Sequence, residues 1–124
     1  MSASIGIPNL GSMNEFVGEF DVSSRLTDVT YHCKFSHLWN GIATRHSDTV
    51  DTKFSVDGRG VIVGLAHTGF VQFKEKSGRN LSDREASYIA ATYLREQLEQ
   101  EDERLLYDAS AEDVARIVGL LGIQ

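Results

Sequence analysis

The chain has 124 residues, 41% of them hydrophobic and 24% charged, with a net charge of −6 and one cysteine, Cys33. That is enough chain for one domain with its own core, and a lone cysteine excludes an internal disulfide framework and fits a reducing compartment. Residues 1–81 carry eight acids against eight bases, and residues 82–124 ten acids against four bases, so the second part holds the whole charge. An acidic layer of this kind repels phosphate, and no nucleic-acid partner is expected.

No basic, then apolar, then small-residue pattern opens the sequence, and no apolar run is long enough to span a bilayer. Neither a membrane nor secretion is expected, and the expected location is cytoplasmic. Residues 1–13 are small, glycine-containing and aperiodic, with Pro8 breaking regular structure. They read as an irregular lead-in to a single domain over residues 14–124.

Phe16, Gly18, Phe20 and Val22 alternate with Val17, Glu19 and Asp21, the pattern of a half-buried strand. After a turn over 23–28, the strand 29–39 places Val29, Tyr31, Cys33, Phe35, His37 and Trp39 on its more apolar, core-facing side. Asn40-Gly41 is the pair that a two-residue type I′ hairpin prefers, because both turn residues need positive φ. Closed that way, Trp39 faces Ile42, Phe35 faces His46, Cys33 faces Asp48 and Tyr31 faces Val50. Asp57 to Gly60 reads as the next turn and sets Val56 against Val61, Phe54 against Val63, Thr52 against Leu65 and Val50 against His67. Apolar residues meet apolar residues through both turns. Thr68-Gly69 reads as a bulge or bend before a last strand segment, Phe70 to Lys74, and Ser77-Gly78 ends the sheet.

Leu81 to Asp102 is the clearest helix. Ser82 followed three residues later by Glu85 is a capping box. Ala86, Ile89, Ala90, Tyr93, Leu94 and Leu98 keep the spacing of one buried stripe. Glu101 to Arg104 read as its frayed acidic end. Ser110 with Asp113 signals a second cap, and Val114, Ile117, Val118 and Leu121 line a short final helix closed by Gly122. The predicted fold is α+β: a curved antiparallel β-meander of about four strands with two C-terminal helices packed on one face. Leu105, Leu106, Leu120 and Ile123 add apolar surface beyond one stripe, which suggests a homodimer through the C-terminal helix.

The predicted register gathers Cys33, His37, His46, Asp48 and His67 on one face. Such a set suits zinc or a histidine–aspartate proton relay, whereas the competing reading is a satisfied polar contact at the sheet's end. Trp39, Tyr88 and Tyr93 are either core aromatics or contacts for a ligand or partner. Lys74, Lys76, Arg79 and Arg84 form one basic cluster, read as an edge guard or an anion site. His46-Ser47-Asp48 has triad residue types, but neighbours on a strand point to opposite faces. Gly58-x-Gly60 lies between strands and is a turn, not a phosphate loop. No established catalytic signature is present. The leading reading is a non-catalytic binding or interaction module, for a partner protein, a second copy or a small ligand. The alternative is a metal-binding protein or small hydrolase-type enzyme that uses the His/Asp cluster, with zinc as its only implied cofactor.

Overall fold

The computed structural model describes residues 15–45 and 47–124. The predicted lead-in, 1–13, and His46 lie outside the described residues. The fold is α+β with a mostly antiparallel sheet in the order β1-β2-β3-β4-β5. The first four strands are β1 (Glu19–Ser23), β2 (Thr30–Asn40), β3 (Thr49–Val56) and β4 (Arg59–Ala66), each antiparallel to the next. The alternation predicted for β1 holds, with Phe20 opposite Cys33 and Val22 opposite Tyr31, all four buried.

Two of the predicted registers are corrected. Asn40-Gly41 does not close a tight hairpin. A four-residue helical turn, α1 (Ile42–Arg45), follows it, and Asn40 pairs with Val50 and Trp39 with Asp51. The Asn40 side chain accepts from the Ile42 amide at 2.8 Å, so it starts the helical turn. The β3–β4 turn is tighter than predicted: Asp57 and Gly58 alone take positive φ, 50° and 85°, as a two-residue type I′ turn demands. Val56 therefore pairs with Arg59, Phe54 with Val61 and Thr52 with Val63. This slip of two residues keeps every side chain on its predicted face, because the strand period is two.

A bulge between Phe35 and His37 breaks the β2 register. Before it, Tyr31, Cys33 and Phe35 face the core as expected. After it, Leu38 pairs with Thr52, while His37 and Trp39 swing to the other face, opposite Lys53 and Asp51.

The predicted strand Phe70 to Lys74 is a helix, α2 (His67–Ser77), ended by Gly78 at φ 80°. Its first turn has no capping side chain and contains Gly69, so no local start signal marks it. Packing selects it instead: Gly69 lies against the last helix so closely that a Cβ there would sit 2.8 Å from Cβ of Val114. The central helix α3 (Asp83–Glu99) has the predicted capping box, with Ser82 accepting from the Glu85 amide. Its end is not frayed. Glu101 accepts from the hydroxyls of Ser24 and Thr27, both at 2.6 Å, and Tyr107 donates to the Asp102 carbonyl.

A fifth strand unmarked in the sequence, β5 (Leu106–Ala109), runs parallel to β4. Parallel neighbours need a long crossover, which α2 and α3 supply. The last helix, α4 (Ala111–Leu121), has the predicted Ser110–Asp113 capping box and the Gly122 cap. Among the described residues, three helices longer than α1 thus form one layer where two were expected. Phe54, Val63, Leu65, Ile89, Leu94, Val114 and Ile117 are fully buried between that layer and the sheet.

Candidate functional site on the open face of the sheet

The side of the sheet away from α2, α3 and α4 carries the most unusual chemistry of the molecule. It builds up in rows. His37, Lys53, Ile62 and Leu106 lie side by side on β2 to β5, and the adjacent row is Trp39, Asp51, Gly64 and Asp108. Arg45, from α1, reaches down onto this second row. Its Nε and Nη2 both donate to Asp51 at 2.8 Å, and Nη2 also donates to Asp108 at 3.0 Å. Thr49 donates its hydroxyl to Asp51 at 2.7 Å.

Asp51 is fully buried, at 0% exposure. Burial pushes its carboxyl up, but hydrogen bonds from Arg45 and Thr49 and the Arg45 charge outweigh this and hold it below the ordinary carboxylate value. The same hydrogen bond raises the Arg45 guanidinium above its usual value. Two glycines make the room. A Cβ on Gly64 would lie 2.6 Å from Arg45 and 2.7 Å from Asp108, and one on Gly41 would lie 2.4 Å from the Thr49 hydroxyl. Asp51 is thus an anion with its acceptors occupied. It suits a clamp that holds the β2–β3 connection onto β3 and β5, and it is poorly placed to act as a base.

Beside this clamp a small apolar set lies within an otherwise polar face. Leu106 is 41% exposed, Ile62 and Trp39 are half-buried, and the Trp39 ring lies 4.9 Å from that of His37. Lys34 and Lys53 project from the middle strands, with Glu19 and Asp21 at the β1 edge. Asp21 accepts from Nδ1 of His32 at 2.6 Å, which raises the imidazole above its ordinary value.

The sequence candidates are dispersed. Cys33 is buried opposite Val56, not Asp48, and burial pushes its thiol up to about 12, the state of an inert core thiol. His37 is exposed on the open face. Asp48 and His67 do stay together: the His67 amide donates to the Asp48 carbonyl at 3.0 Å, and Nδ1 lies 3.8 Å from the carboxylate. Among the described residues no three His, Cys, Asp or Glu side chains gather as a metal would require. Tyr88 is buried in the helical layer, and Tyr93, half-buried, meets Tyr107 edge to face. The basic cluster is split. Arg79 binds Glu85 through two bonds of 2.9 Å and stacks on Phe73, and Arg84 lies over Phe16. Lys76 lies between α2 and α4, and Lys74 joins His67 on one face of α2.

Arg45, Thr49, Asp51 and Asp108 escaped the sequence reading because they meet only through tertiary structure. One signal was available: Gly64 inside the run Val61 to Ala66 interrupts a strand without a turn, which marks a close approach by another group. No protein-family model, no curated protein and no solved structure matches the chain. Among the described residues no helix is long and apolar enough to cross a membrane.

Proposed function

We propose that this protein is a non-catalytic interaction module that self-associates through the open face of its sheet. The observation that carries this reading is an apolar set, Trp39, Ile62 and Leu106, left on the face that no long helix covers. The C-terminal helix is the weaker surface. Val114 and Ile117 are fully buried, Val114 against Gly69 of α2, and Leu120, 59% exposed, stands out there.

Sedimentation velocity over a dilution series tests the reading. A dimer that dissociates on dilution is expected, and Leu106→Lys or Ile62→Lys should leave a folded monomer. A chain monomeric at every concentration overturns it, and so does a dimer broken by Leu120→Lys instead. The competing reading, metal-dependent or hydrolytic chemistry, has the Asp48–His67 pair as its remaining support. It predicts stoichiometric zinc in purified protein, lost in His67→Ala.

A further inference from the structure

The α1 connection imposes a chemically labile pair of residues and then shields it. Asn40 is needed because its side-chain oxygen, accepting from the Ile42 amide at 2.8 Å, starts the helical turn. Gly41 is needed because a Cβ there would lie 2.4 Å from the Thr49 hydroxyl and 2.8 Å from the Asp51 carboxylate. An asparagine followed by glycine is the least hindered setting for attack of a backbone nitrogen on the preceding side chain, since no Cβ blocks the approach. Asn40-Gly41 is the only such pair in the sequence. The native arrangement works against that attack. Gly41 is buried, its amide donates to the Thr49 carbonyl at 2.9 Å, and its carbonyl accepts from the Arg45 amide at 2.8 Å. The nucleophile would have to give up its bond to Thr49 and turn toward an Asn40 side chain that Ile42 already holds. The Arg45 side chain, bound to Asp51 and Asp108, keeps the turn in place.

We infer that Asn40 is a latent self-modification site, exposed to reaction only when α1 lifts from the Arg45 clamp. Hydroxide takes the Gly41 amide proton, the nitrogen forms a bond to Cγ of Asn40, and the side-chain amide leaves as ammonia with a proton from water. Water then adds to either carbonyl of the succinimide ring and opens it, to aspartate or to isoaspartate. No electrons are exchanged with another molecule. The isoaspartate product carries the main chain through the side chain, one methylene longer, and puts a new negative charge on the turn. That turn no longer matches the spacing between Gly41, Thr49 and Arg45, so α1 does not reseat and the change runs one way. The inference stands apart from self-association and does not depend on it.

Peptide mass spectrometry on full-length protein held in mildly alkaline buffer reads the reaction as replacement of the Asn40 amide by a carboxyl group. Conversion in the native protein should be at least roughly tenfold slower than in the same chain unfolded in guanidinium chloride, because only the locally opened fraction reacts. Arg45→Lys leaves a cation for Asp51 but not the planar fork that also reaches Asp108, and should raise the native rate several-fold. Asp108→Asn, at an exposed position, gives the same comparison should the lysine variant fail to fold. Ser82→Ala, which weakens the fold away from α1, should leave the rate unchanged. Equal rates in native and unfolded protein overturn the inference. So does a folded clamp variant that reacts no faster than the parent, or an equal acceleration in Ser82→Ala.

Discussion

Arg45 shows how much one side chain decides here. It joins α1 to β3 and β5 by binding Asp51 and Asp108 together. Arg45→Met should leave Asp51 buried without its cation, and removing one partner of a buried pair costs roughly 3–5 kcal/mol. Denaturant unfolding measures that cost. A loss under about 1 kcal/mol, the range of surface pairs, would show that the carboxylate finds water instead. Gly64→Ala reaches the same centre from below, where its Cβ meets three polar side chains within 3.0 Å. Overpacking of this kind costs about 1–3 kcal/mol.

Helix elements divide into those that begin on local signals and those that exist through packing. The caps of α3 and α4 are carried by Ser82 and Ser110, each accepting from the amide three residues on. Ser82→Ala should cost about 0.5–2 kcal/mol, read as a fall in melting temperature. For α2 the support is the contact of Gly69 with Val114. Gly69→Ala raises intrinsic helix propensity yet should destabilise the protein by about 1–3 kcal/mol, because the methyl forces α2 from α4. A stabilised variant would show that the two helices are not held at this spacing.

At the scale of the whole molecule, acid is the informative stress. Asp51 and Glu85 are both held below ordinary carboxylate values, Glu85 first by its hydrogen bonds from Arg79. Their contribution is present in full above the unfolded values, about 3.9 for Asp and 4.3 for Glu, and is lost as pH falls through the lower folded values. Stability should therefore hold through mild acid and drop below about pH 4. Asp51→Asn, destabilised at neutral pH, should show a shallower drop, and equal slopes in the two proteins would remove Asp51 from the account. What the amino-acid order determined by itself is local: the α3 and α4 capping boxes, the Gly122 stop, the alternation that buries Phe20, Cys33, Phe54 and Val63, and hence the α+β class. These depend on neighbours within a turn or a strand repeat. The bulge after Phe35, the α1 connection, α2, the parallel β5 and the Arg45–Asp51–Asp108 clamp were decided only in three dimensions. Each rests on contacts between distant segments, whose energies no local window of residues contains.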